Sequence, residues 1–241
     1  MRIVVANVNT TGSVTEAIRQ QAVKAAAPGT EIVAVTPEFG PASVECNFES
    51  YLSAVAVMDR LQAVEAPFDA VVLAGFGEHG KEGVAELLDK PVVDITEAAA
   101  HMACLLGRRF SVVTSLKRTR GQIHDRLQLI GLASRCASVR ATEMTVLDLE
   151  DDLERTGERV VEEVTWAVEA DGADVICLGC AGMAGVAEGV QAEVGVPVVD
   201  GVTAGVALAE SLVRLGLSTS KVGSWAPPPP KTITGWPISR R

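Results

Sequence analysis

One segment of this chain is written twice. DAVVLAGFG (residues 69–77) and DVICLGCAG (174–182) align residue for residue: an aspartate, a buried apolar run, then a glycine-rich turn. A helix-like stretch follows each copy, then Lys90-Pro-Val-Val-Asp94 or Val196-Pro-Val-Val-Asp200. TEAAAHMACLLG or TAGVALAESLVRLG comes next. Asp69 and Pro91 are 22 residues apart, Asp174 and Pro197 23. Unrelated α/β units share apolar strands, but not a whole series of such features in one register. The chain is therefore read as two related lobes.

Short apolar runs at 3–8, 31–36, 70–75, 91–95, 110–115, 136–142, 174–179 and 197–201 read as buried strands. Stretches with helical periodicity, such as 13–26 and 51–64, separate nearly all of them. Regular alternation of this kind predicts an α/β fold: two pseudo-symmetric lobes, each a parallel sheet flanked by helices. The first lobe is expected to hold residues 1–100 plus about 206–241, the second 101–205. Ser13, with Glu16 three residues on, is expected to cap the first helix as a capping box. Leu-Gly pairs at 106–107 and 215–216 read as helix stops. From about Ser218 the tail, with four consecutive prolines, cannot continue a helix. Trp225 and Trp236 favour an extended strap packed on the surface.

Aromatic residues are only 4% of the chain, so Val, Ala, Leu and Ile must build the core. That suits parallel sheets covered by alanine-rich helices. A formal charge of −10 argues against nucleic acid or an anionic membrane as partner. No apolar run approaches the ~20 residues that span a bilayer. The first residues enter a strand pattern directly, without the features of a signal peptide. Five cysteines at irregular spacing do not make a secreted disulfide framework, and a cytoplasmic protein is expected.

Ligands of open parallel sheets bind beyond the carboxyl ends of the strands. The duplicated turns, 75–77 and 180–182, should therefore face one another across a cleft. Cys180 ends its strand just before a helix, where backbone N–H groups and the positive helix end favour a thiolate. Cys177, three residues earlier, falls inside the apolar run and reads as core. Zinc would need two more ligands, and no second Cys/His pair has ligand spacing, so no metal is expected. Gly75-Phe-Gly77-Glu-His-Gly80 matches a dinucleotide fingerprint, but in an interior unit where that signal is weak. Glycines that let backbone approach a small substrate explain it better. Asn7-Val-Asn9-Thr10-Thr11-Gly12 offers amides and hydroxyls at a strand end, and Thr114-Ser115 does the same. His79 lies in the glycine turn and is a candidate acid or base. His101 and His124 fall on helical patterns and read as structural.

These residues carry a resemblance. MRIVVANVNTTGSVTEAI, the loop GPASVE (40–45), AGFGEHG, PVVDITEAAAHMA and LGCAGM (178–183) resemble the hydantoin and allantoin racemase branch of the aspartate/glutamate racemase superfamily, over nearly all of residues 1–220. The resemblance implies a cofactor-independent racemase with its site between the lobes. Two cysteines face opposite sides of a substrate carbon there, one removing a proton and the other returning one. Cys180 matches the second; the first is replaced by Gly75. Glu78-His79 also stands where such racemases tend to have Asp-Pro. His79, or failing it Glu78, is the expected substitute for the missing thiol. Asn9, Thr10, Thr11, Ser43, Gly75, Phe76, Gly77, Thr114, Ser115, Ala181 and Gly182 are the expected substrate-binding residues. No cofactor is expected, a small molecule is the expected partner, and a homo-oligomer is expected from the superfamily. One cysteine with a glycine opposite also resembles arylmalonate decarboxylases, which makes a lyase the alternative. An inactive ligand-binding paralogue is the third reading.

Overall fold

The computed structural model describes residues 1–234; Trp236 lies outside them. The chain runs β1 (Arg2–Ala6), α1 (Gly12–Ala25), β2 (Glu31–Val35), α2 (Asn47–Gln62), β3 (Ala70–Leu73), α3 (Lys81–Leu87), β4 (Val92–Asp94) and α4 (Ile95–Leu106). It continues through β5 (Phe110–Thr114), α5 (Arg120–Leu129), β6 (Cys136–Ala141), α6 (Asp148–Asp151), α7 (Leu153–Glu169), β7 (Val175–Leu178), α8 (Ala187–Val194), β8 (Val198–Asp200) and α9 (Gly201–Arg214). The strands form two sheets ordered β2-β1-β3-β4 and β6-β5-β7-β8, parallel throughout. The two orders are the same order, so the sequence repeat is a repeat of topology.

The repeated residues do the same work in each half. Asp69 Oδ2 accepts from Arg2 N at 2.7 Å, and Asp174 Oδ2 accepts from Arg108 N and Arg109 N, both at 2.9 Å. Each aspartate thus ties the start of a central strand to the strand beside it. The aspartate of each PVVD is an N-cap. Asp94 Oδ1 accepts from Thr96 N and Glu97 N at 2.7 and 2.9 Å, and Asp200 Oδ1 from Thr203 N at 2.8 Å. Such caps each contribute about 1 kcal/mol by satisfying otherwise unpaired helix donors. β3 and β7 are buried along their whole length, which explains their uninterrupted apolar runs.

The helices that follow β4 and β8 cross over. α4 packs against β7 and α9, while α9 packs against α1 and β3. Small residues permit the close approach: a Cβ on Gly205 would lie 2.8 Å from Val72 Cγ1, and one on Gly201 would lie 3.0 Å from the Ile95 carbonyl oxygen. Gly205→Val should therefore overpack this junction and cost about 1–3 kcal/mol of stability. A lowered denaturation midpoint measures it; an unchanged midpoint would mean that the helices part freely.

One expectation needs correction. Helix α1 begins at Gly12 with Thr11 as N-cap, so Ser13 already lies in its first turn, too late to cap it. Glu16 instead accepts from Arg19 at 2.7 and 2.8 Å and from Gln20 at 3.0 Å. His101 and His124 both lie on helices, at exposed positions, and His101 Nδ1 lies 2.8 Å from the Glu97 carbonyl oxygen. The beginning of the tail does pack on the first sheet's helical layer. Ser218 Oγ donates to the Asp89 carbonyl, Thr219 Oγ1 to that of Lys90, and Lys81 Nζ stands 4.7 Å from the Trp225 ring centre. Residues 229–234 are exposed. Among the described residues no helix is long and apolar enough to cross a membrane.

Candidate active site

In both sheets the chain leaves the two central strands at their carboxyl ends, as parallel pairing requires. The exits are residues 7–9 and 74–76 in the first lobe, and 114–115 and 179–182 in the second. They converge on one cavity. Cys180 lines it, in extended backbone (φ −156°) at the start of the short 3-10 turn Ala181–Val186 that leads into α8. A Cβ on Gly182 would lie 3.7 Å from Cys180 Sγ, so the thiol rests over bare backbone. Cys177 differs completely: it is sealed in the core, and burial holds its thiol well above the usual range.

Gly75 lines the opposite wall. A Cβ built on it would meet His79 Cδ2 at 2.3 Å and the two Val8 methyl carbons at 2.6 and 2.7 Å. The imidazole and Val8 therefore occupy the volume that a side chain at position 75 would need. His79 also lines the cavity, yet it turns a carbon edge toward Gly75. Its Nδ1 lies 3.1 Å from Ser50 Oγ, and its Nε2 lies 3.4 Å from the Phe76 carbonyl oxygen. Burial lowers its pKa to about 4, so the ring is neutral at neutral pH.

Glu78 does not line the cleft in this conformation. Its Oε1 accepts from Gly80 N at 2.8 Å and its Oε2 from Arg126 Nη1 at 2.8 Å. Burial raises its pKa, and the charges of Glu82 and Asp94 add to the rise, against the Gly80 N–H and Arg126. Gln122 borders both the cleft and the depression that holds Glu78.

Of the other expected residues, Asn9, Phe76, Thr114, Ser115, Ala181 and Gly182 line the cavity. Asn9 Oδ1 accepts from Asn7 Nδ2 and Thr11 N, both at 2.9 Å, which leaves its NH₂ as the group able to serve a ligand carbonyl. Thr10, Thr11, Ser43 and Gly77 do not line it. Thr10 and Thr11 donate their hydroxyls to the carbonyls of Pro41 and Ala42, holding the 40–46 loop. Ser43 Oγ donates to Glu45 Oε1 at 3.3 Å, and Gly77 N to Thr96 Oγ1 at 2.8 Å.

Val14, Gln122, Val44 and Val146 also line the cavity and were not anticipated. The repeat held the signal for them. Val14 and Gln122 are the third residues of α1 and α5, and Val44 and Val146 follow the edge strands β2 and β6. Gln122 Nε2 donates to Asn47 Oδ1 at 2.6 Å, and Val146 N to Glu45 Oε1 at 3.2 Å, so both contacts cross from lobe to lobe. Among the described residues no group of three or more His, Cys, Asp or Glu side chains could hold a metal ion.

Known proteins share this arrangement. The sequence pattern of the Asp/Glu/hydantoin racemase family matches residues 3–209. A hydantoin racemase of Pseudomonas sp. (strain NS671) is 43% identical over 236 residues, covering 98% of this chain and 95% of its own. The crystal structure of an allantoin racemase from Pseudomonas fluorescens is 61% identical, with a TM-score of 0.96 over 98% of this chain and 100% of its own. A crystal structure of arylmalonate decarboxylase is 21% identical, with a TM-score of 0.60 over 88% and 92%. That last likeness shows a common fold and nothing about a reaction.

Proposed function

This chain belongs to the Asp/Glu/hydantoin racemase family, and on that premise we propose that it inverts the acidic carbon of a hydantoin-type cyclic ureide by proton transfer from one face and to the other, without a cofactor. The enzyme is an isomerase. The substrate class follows from relatives named hydantoin racemase and allantoin racemase. The observation that carries the mechanism is the Cys180 thiol at the wall of a cavity that both lobes line.

The balance of the step is simple. A base on one face takes the proton from the carbon beside the ring carbonyl, and the bonding pair moves into the carbonyl as an enolate. An acid on the far face delivers a proton to the same carbon. Cys180 serves the second-lobe face as thiolate or thiol. Asn9 and the backbone of 180–182 are placed to meet enolate oxygen with donors.

For the first-lobe face we assign Glu78 rather than His79. What supports the carboxylate is that His79 turns Cδ2 toward the vacant position and has both ring nitrogens within reach of protein oxygens. His79 acts as a wedge that shapes the wall. Glu78 has a pKa raised by burial, and it lines a depression that shares Gln122 with the cleft. Glu78→Gln should lower racemisation by roughly 10²-fold or more, whereas His79→Asn should keep most of it. The opposite pattern, measured by loss of optical rotation, would transfer the role to the imidazole.

We further propose a homo-oligomer working in a reducing compartment. Phe48, Tyr51 and Leu52 of α2 and Leu129 of α5 are large exposed apolar side chains, of the kind that a second copy covers. All five cysteines are free of disulfides, as in the cytoplasm.

A further inference from the structure

Arg126 stands out among the charged residues because its side chain is 0% exposed. It sits on α5, in the second lobe, yet its guanidinium contacts carboxylates that belong to the β3–α3 turn, to α3, to the end of β4 and to α4. Nη1 lies 2.8 Å from Glu78 Oε2 and 2.6 Å from Glu82 Oε1. Nη2 lies 2.5 Å from Asp94 Oδ2 and 3.3 Å from Glu97 Oε1. A second cation, Lys81, stands 3.2 Å from Glu97. Asp125 of α5 lines the same depression as Glu78 and Arg126. His79, next to Glu78 in the chain, is neutral. Four carboxylates in contact with the guanidinium thus face two cations, and the group carries surplus negative charge when all are ionised.

The members are not equally committed. Asp94 is held as the N-cap of α4 and is 4% exposed. Glu97 has Lys81 as well, and Glu82 has the shorter contact with Nη1. Glu78 is 37% exposed and Glu82 42%, but Glu78 lines the depression that shares Gln122 with the cleft and burial raises its pKa, so it is the member best able to take a proton. Arg126 Nε, meanwhile, is buried and has no acceptor among the described residues.

We infer that Arg126 is the positioning residue for this reaction: reaching across from the opposite lobe, it holds the Glu78 carboxylate in the depression beside the cleft and balances its charge, with Glu82 competing for the same nitrogen. This rests on the assignment of Glu78 as the first-lobe acid/base. A scaffold ion pair alone would join the lobes equally well, so the deciding readout is the pH profile rather than the rate. Racemisation requires an ionised carboxylate in one direction, so kcat/KM falls as pH drops through the pKa of Glu78. Removing a cation beside a carboxylate raises that pKa, and removing a competing anion lowers it.

The test is the pH dependence of kcat/KM for racemisation of a 5-substituted hydantoin by the full chain. Glu82→Gln, a half-exposed site, should move the acid limb to lower pH by roughly half a unit to one unit. Arg126→Gln should move it to higher pH by about one unit or more, and Arg126→Lys should bring most of that back. An acid limb that stays in place in Glu82→Gln overturns the inference even if Arg126→Gln does not fold. Glu78→Gln separates the two assignments. If it abolishes turnover while the other profiles stay fixed, only the role of Arg126 fails; if it keeps full activity and an unchanged acid limb, both assignments fail.

Discussion

Cys180→Ser should lower racemisation of either enantiomer by roughly 10³-fold or more while leaving the affinity for a non-reacting hydantoin almost unchanged. A positioned acid/base contributes about 10²–10⁴-fold, and a serine hydroxyl is far too weak an acid to replace the thiol near neutral pH. The side chain changes by one atom, and Cys180 has only intermediate exposure, so the fold should tolerate it. Kinetics in both directions, with isothermal titration of a non-racemising analogue, measure the effect. Equal activity in the serine variant would remove the thiol from the chemistry altogether.

The second large effect concerns the opposite wall. Gly75→Cys should not produce a two-thiol enzyme. The new Cβ would stand 2.3 Å from His79 Cδ2 and 2.6 Å from Val8 Cγ1, distances that force both neighbours to move. Overpacking of this kind costs about 1–3 kcal/mol, and here the displaced groups are cavity walls, so activity should fall together with stability. His79→Ala added to Gly75→Cys relieves the nearest contact, and Val8→Ala relieves the next; stability should return in that order. A Gly75→Cys protein that is stable and faster than its parent would show that the imidazole does not fill this space. Cys180 is the one thiol that lines the cleft, and on the facing wall a histidine ring fills the space a side chain at 75 would need.

Much of this could be read before any coordinates. The repeat DAVVLAGFG/DVICLGCAG gave the two-lobe fold because both copies need the same buried strand and the same turn, and Asp94 and Asp200 recur because each caps a helix. Cys180 was legible from its place between a strand and a helix. Other parts were not. Thr10 and Thr11 looked like ligand donors, but a hydroxyl at a strand end serves the nearest carbonyl equally well, and here loop 40–46 takes both. The Arg126 cluster joins segments 29 to 48 residues apart in sequence, none of which has an unusual local pattern. Gln122 sits on a helix with no clear apolar face, and only its equivalence to Val14 in the other half marks it.

The most direct measurement starts from a single enantiomer of a 5-substituted hydantoin in D₂O and follows both forms at early times by mass and optical rotation. Two different groups acting on opposite faces should yield inverted product that carries deuterium from the first turnover, while recovered substrate stays unlabelled. Deuterium accumulating in recovered substrate faster than inversion would mean that one group takes and returns the proton on the same face, contrary to the paired roles of Cys180 and the first-lobe turn.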